Sequence, residues 1–349
     1  MSPSSNPASR NPDSRIPIIR IPAPVSIWPI TLDDIRAARN RISPHLSPTP
    51  MRRYPTLDAA VGHGIAVYVK HENFNPTNAF KVRNGLSFMS ALPEEARHRG
   101  VVAATRGNHG LGLAYAGQIF GVATTVVVPL GNNPDKNAAM RAYGVRLVEA
   151  GMDYDESLVV AERIVREEGA TMAHSTNNRD IVAGAATMSL EIVEQVADLD
   201  ALVISVGGGS QAVGALTIAR ALKPNLAVYG VQAARAAAAH EAWHTGTNRV
   251  LDTADTFADG LATRTTYELT FPTLKAGLAD FVTATEEELA AAVRLLLETT
   301  HSLAEGAGAA GLAGLLKLRE RLAGKRVGIV LSGSNIDRAT LRRVLDGAI

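Results

Sequence analysis

The run Pro76-Thr77-Asn78-Ala79-Phe80-Lys81-Val82-Arg83-Asn84 sets one lysine where a β-branched segment gives way to a helical pattern. A lysine amine in that position can condense with an aldehyde to an imine. Further along, the turn Gly207-Gly208-Gly209-Ser210 can wrap a phosphate in backbone N–H groups. Together they have the layout of a covalent cofactor site. Singly they are not diagnostic: a lysine at a helix start is ordinarily solvated, and a glycine turn after a strand is often only tight packing. A dinucleotide site is disfavoured, because the spacing is not G-x-G-x-x-G and Gln232, not an acid, ends the next strand.

Placing those residues requires strands and helices in alternation, and the chain supplies them. Short apolar runs at 65–70, 101–104, 125–128, 145–148, 201–205, 227–231 and 326–331 read as strands; the Ala/Leu-rich stretches between them have helical spacing. Most runs are apolar on both faces, as buried parallel strands are. The expected fold class is therefore α/β with parallel sheets. Three runs end in turns of small or polar residues: Thr105-Arg106-Gly107-Asn108-His109, Gly207-Gly208-Gly209-Ser210 and Ser332-Gly333-Ser334-Asn335. Ligands in open α/β sheets sit outside the carboxyl ends of the strands, so these turns and Lys81 share one crevice. The pattern divides the chain into a loose N-terminal arm (1–28), a large cofactor-binding domain (29–97 and 176–349) and a small domain (98–175).

With 349 residues, 46% of them hydrophobic, the chain can bury a large core, and a formal net charge of +1 gives no field to gather a polyanion. No basic stretch with interleaved aromatics is present, so a small molecule is expected as partner and nucleic acid is not. The lack of cysteine removes disulfides, thiolate nucleophiles and Cys-ligated metals. Residues 1–28 carry no continuous apolar segment of the secretory kind, and no run reaches membrane-spanning length. His240, Trp243 and His244 lack a third ligand at useful spacing and read as packing residues.

Across about residues 45–340 the motifs fall in the order of a known family, and the chain resembles the fold-type II pyridoxal-phosphate enzymes, in particular threonine and serine dehydratases and serine racemase. The resemblance implies a tryptophan-synthase-β-like fold, with pyridoxal 5′-phosphate in the cleft between two lobes. Lys70-His71-Glu72 through Asn78-Ala79-Phe80-Lys81-Val82-Arg83 is similar to the family's lysine signature, with Asn-Ala where many members have Gly-Ser. It implies Lys81 as cofactor anchor and catalytic base, with Phe80 beside it. Gly107-Asn108-His109-Gly110 resembles the loop that holds the substrate carboxylate, which implies substrate contacts from Thr105, Arg106, Gly107 and His109, and a cofactor contact from Asn108. Gly207, Gly208, Gly209 and Ser210 resemble the tetraglycine phosphate cradle, with serine as the fourth member. Asp259-Gly260-Leu261-Ala262, Glu305-Gly306-Ala307-Gly308-Ala309 and Ser332-Gly333-Ser334-Asn335 match later landmarks; Glu305 and Ser332 are implied cofactor residues, Ser332 at the pyridine nitrogen.

Two departures bear on the reaction. Arg106 stands where serine racemase has its second proton-transfer serine, and arginine does not deprotonate a carbon acid. Gln232-Ala233-Ala234-Arg235 occupies the place of an acidic cation site, so no metal is expected there. A neutral hydroxyl at the ring nitrogen makes a shallow electron sink, which suits β-elimination better than long-lived carbanions. The expected activity is thus a dehydratase that converts an L-β-hydroxy-α-amino acid to a 2-oxo acid and ammonia; threonine, serine, phenylserine and 3-hydroxyaspartate are all open. The family's leaving-group proton donor is the cofactor phosphate, with Thr77 and His109 as weaker candidates. Alternatives are a racemase, a lyase for a 2,3-diamino acid, and a phosphate-ligand binding protein without activity. A cytoplasmic homodimer, with no regulatory domain after the Ser332 helix, completes the expectation.

Overall fold

Ten strands organise the described residues: β1 (Met51–Arg53), β2 (Ala66–His71), β3 (Val101–Ala104), β4 (Thr124–Val128), β5 (Arg146–Glu149), β6 (Thr171–Met172), β7 (Ala201–Ser205), β8 (Ala227–Ala233), β9 (Asp280–Ala284) and β10 (Arg326–Leu331). The computed structural model describes residues 27–349, so nearly all of the expected N-terminal arm lies outside the described residues. Strands β1, β2, β10, β7, β8 and β9 form one six-stranded sheet in that order, parallel except for the β1–β2 pair; β5, β4, β3 and β6 form a second, fully parallel sheet. Every residue of β3, β4 and β7 is buried, which is why these strands carry no charged residue and are mostly apolar. The three strands that the pattern did not give, β1, β6 and β9, are two to five residues long and partly solvated.

The topology gathers the site. β2, β10 and β7 are neighbours in the large sheet, and their carboxyl ends lead to Lys81, Ser332 and the triple glycine respectively. β3 of the second sheet leads into Thr105–His109. The lysine and the carboxylate loop belong to different sheets, yet the helices that they open, Lys81–Ala91 and Asn108–Phe120, touch backbone to backbone. A Cβ at Gly85 would lie 2.2 Å from the carbonyl oxygen of Gly112, and one at Gly112 would lie 2.3 Å from that of Lys81. On its other flank the lysine helix meets helix Arg179–Gln195 equally closely, since a Cβ at Gly184 would lie 2.5 Å from the carbonyl oxygen of Arg83. No larger residue fits at these crossings without moving a helix.

The far side of the lysine helix is pinned by buried charge. Arg83 Nε donates to Glu72 Oε2 (2.7 Å), its Nη1 to Glu191 Oε1 (2.7 Å), and its Nη2 to both carboxylates. Lys70 Nζ completes the group with Glu191 Oε2 (2.6 Å) and the Thr49 carbonyl (2.7 Å). Arg83 is 1% exposed, and Lys70 and Glu72 are fully buried. Burial alone would raise the Glu72 carboxyl, but Arg83 and Lys70 beside it hold it below the ordinary carboxylate range. The motif Lys70-His71-Glu72 is therefore the anchor of the lysine segment.

Candidate active site

Lys81 opens its helix after a segment tied down by main-chain bonds to the end of β10. Ala79 bridges Gly333; Phe80 N–H donates to Ser332 O (3.0 Å), and Ser334 N–H to Asn78 O (2.9 Å). That docking needs a left-handed residue at 78, and Asn78 has φ +54°. Asparagine tolerates this region better than other residues with a Cβ, which accounts for Asn where the resembling motif has Gly. The Lys81 ammonium lies 3.5 Å from the Ser175 carbonyl and 5.1 Å from the Phe80 ring centroid, with no carboxylate partner among the described residues. Desolvation pushes its pKa down to about 8. A lysine so placed is neutral often enough to attack an aldehyde and to take up a proton.

Facing it, each glycine of the turn is required for a different reason. A Cβ at Gly207 would strike the Gly260 carbonyl oxygen at 2.3 Å; one at Gly208 would strike Thr176 Oγ1 at 2.0 Å; Gly209 is left-handed, with φ +93°. Ser210 is the first residue of helix Ser210–Leu222 and lies outside that strained stretch, so serine in place of a fourth glycine costs nothing there. The first N–H groups of this helix have no intrahelical acceptors and point with the positive end of its dipole toward the turn, which suits a phosphate. A cradle that any Cβ would fill, opposite a lysine of lowered pKa, fits a phosphorylated aldehyde.

The loop after β3 forms the second wall. Gly107 N–H donates to Thr105 Oγ1 (3.0 Å), which folds the loop so that helix Asn108–Phe120 begins at the cleft. His109 spends Nε2 on the Ala173 carbonyl (2.8 Å), and burial, with Lys81 nearby, lowers its pKa to about 3. The ring is neutral, so it orders the loop and is no proton donor. Thr77, the other weak candidate, hydrogen-bonds toward Ala79 O (3.5 Å) away from the cleft wall. Asn108 is held on both sides: its Nδ2 donates to Glu305 Oε1 (2.6 Å) and its Oδ1 accepts from Asn335 Nδ2 (2.7 Å). Glu305, at the start of helix Gly306–Leu318, is 7% exposed, and burial raises its pKa against the pull of Lys136. Ser332 is 4% exposed, and its hydroxyl lies 3.4 Å from the Ala307 carbonyl.

All thirteen residues expected at the site line one cleft. Lys136, Tyr154, Ser175, Thr176 and Tyr267 line it too, and sequence reasoning did not single them out. Lys136 reaches from helix Pro134–Ala142 to Asp259 Oδ2 (2.6 Å). Burial pulls its pKa down, but Asp259 and Glu305 outweigh that and raise it. One signal was present: a cation in the first turn of a helix opposes the dipole and needs a reason to be there. Tyr154 and Tyr267 are desolvated and stay protonated, their pKa values raised. At the end of β8, the Gln232 amide is committed, accepting from His240 N–H (3.0 Å) and donating to Thr263 Oγ1 (3.4 Å).

A two-sheet α/β frame that aims a neutralisable lysine at a glycine phosphate cradle defines a class of enzyme built around an aldehyde cofactor. The family model described as pyridoxal-phosphate dependent enzyme matches residues 42–333. An L-threonine ammonia-lyase of Thermotoga maritima is 35% identical over 317 residues, covering 91% of this chain and 78% of that protein. The L-threo-3-hydroxyaspartate ammonia-lyase of Saccharomyces cerevisiae is 30% identical over 317 residues, 91% and 97% of the two chains. Among solved structures, serine racemase from Dictyostelium discoideum superposes with a TM-score of 0.82 at 32% identity, over 88% of this chain and 99% of that one. The chain belongs to the pyridoxal-phosphate dependent enzymes, with the fold-type II architecture, and its cofactor is pyridoxal 5′-phosphate.

Proposed function

We propose that this protein is a lyase that removes water from an L-β-hydroxy-α-amino acid by β-elimination and releases a 2-oxo acid and ammonia. Pyridoxal phosphate, when bound, supplies the electron sink that acidifies the substrate's Cα–H. The chain's own residues do the rest. Lys81 Nζ would hold the aldehyde carbon and, as a free amine, is the base placed to take the substrate's Cα proton. Gly207, Gly208, Gly209 and Ser210 would hold the phosphate, and Asn108, braced by Glu305 and Asn335, would hold the ring. The N–H groups at the start of helix Asn108–Phe120, with the Thr105 hydroxyl, hold the substrate α-carboxylate. Ser332 would offer the ring nitrogen a neutral hydroxyl and no charge, which would favour prompt expulsion of the β-substituent. The observation that carries this reading is the lowered pKa of Lys81 in a cleft that also holds the glycine cradle and the open helix start.

Residues 98–175, which carry the second sheet, form the smaller lobe of this proposal; a cytoplasmic homodimer belongs to it as well and rests on family likeness. The test is direct. Purified protein loaded with pyridoxal phosphate is expected to release ammonia and 2-oxo acid from at least one of serine, threonine, phenylserine and 3-hydroxyaspartate, and Lys81→Ala to lower the rate at least a thousandfold, roughly the scale lost with a nucleophile or base. Cofactor retention without turnover of any of the four would leave only a binding protein; racemised product without oxo acid would make it a racemase.

A further inference from the structure

We infer that Arg106 is a specificity-determining residue that receives a second carboxylate, so that the preferred substrate is a β-hydroxy dicarboxylic amino acid of the 3-hydroxyaspartate class; this rests on the β-elimination reading above. Arg106 lines the cleft that contains Lys81 and also the recess bounded by Asp153, Tyr154, Asp155 and Tyr267. Its guanidinium forms no hydrogen bond or ion pair among the described residues, and its Nε is buried without a partner. The acids around it are committed elsewhere. Asp153 and Asp155 hold Arg264 (3.2 and 3.0 Å), Asp259 holds Lys136 (2.6 Å), and Glu305 accepts from Asn108 (2.6 Å).

An arginine with five donors and nothing to donate to, half-buried in a reaction cleft, is matched by a planar anion that takes two parallel N–H bonds. The substrate's α-carboxylate does not need it, because the open N–H groups at the start of helix Asn108–Phe120 already supply a separate anion site beginning two residues further on. What remains for Arg106 is the group beyond Cβ. A methyl or hydrogen there, as in threonine or serine, leaves the buried Nε without an acceptor, whereas a carboxylate satisfies it and neutralises the surplus charge. A phenyl ring can stack on the guanidinium but does not satisfy Nε.

The experiment compares kcat/KM for L-threo-3-hydroxyaspartate and L-threonine in the loaded wild type, Arg106→Gln and Arg106→Lys. The wild type is expected to prefer the dicarboxylate by about a hundredfold, and that ratio to collapse in Arg106→Gln, with Arg106→Lys between, because lysine keeps charge but not the fork. A second readout needs no turnover: succinate should raise the melting temperature of the wild-type protein more than butyrate does, and Arg106→Gln should erase the difference. A ratio unchanged by either substitution, or a wild type that favours threonine, overturns the assignment. If no β-hydroxy substrate reacts, the elimination reading fails, and the succinate comparison still decides whether Arg106 takes a dicarboxylate. Should Arg106→Gln not fold, Arg106→Lys carries the same two tests.

Discussion

Lys81 gains its chemistry from what surrounds it rather than from what it touches. Among the described residues the amine has no counter-ion, only a carbonyl at 3.5 Å and an aromatic ring, so removal of water is the cause of its lowered pKa. Because burial penalises the ammonium form, the neutral amine is the minority below about pH 8 and dominates above it. The rate at which cofactor-free protein captures pyridoxal phosphate covalently should therefore rise with pH, by about tenfold per unit well below that point, and level off above it. Stopped-flow absorbance of the bound cofactor across pH 6 to 10 measures this; a profile still climbing through pH 10 would mean the amine is solvated. At this scale the sequence was most legible. Lys81, the three glycines and Asn108 sit in contiguous motifs whose chemistry does not depend on distant partners. Lys136, Tyr154 and Tyr267 come from single positions in loops and helix starts, and only the three-dimensional path of the chain reveals that they share the wall.

The lysine helix is positioned by sterics on two flanks and by charge on a third. Its glycine crossings leave no slack, while the Arg83 guanidinium neutralises two carboxylates that would otherwise face each other in the dry interior. Arg83→Met should cost about 3–5 kcal/mol of stability, since it strands Glu72 and Glu191 together with only Lys70 to compensate. Urea unfolding of the variant would show it, and a loss below about 1 kcal/mol would mean that water enters the network. Strand and helix assignment followed the periodicity because the central strands are apolar on both faces. The ion network did not follow from it: Lys70, Glu72, Arg83 and Glu191 look like solvated residues until the helices that bury them are packed together.

Across the whole molecule, two cations, in three ion pairs, join segments that belong to different sheets. Lys136 follows β4 and meets Asp259, while Asp153 and Asp155 follow β5 and meet Arg264, five residues further along the same loop. Lys136 is 8% exposed at its side chain, whereas Arg264 is 31% exposed and its acids more so. Arg264→Gln should therefore cost under about 1 kcal/mol, and Lys136→Met roughly twice as much or more, because it also removes the cation that offsets the burial of Glu305. Thermal denaturation of the two variants side by side tests the order; equal losses would place both cations in solvent.

The bridge between Ala79 and Gly333 has a consequence for biosynthesis. The segment that presents the lysine is braced by residues about 250 positions later, so an emerging polypeptide has its first hundred residues made long before the brace exists. Vitamin capture is thus deferred until the last strand has been synthesised and inserted between β2 and β7, and a truncated product, even one with the lysine intact, is left without a seat for the coenzyme.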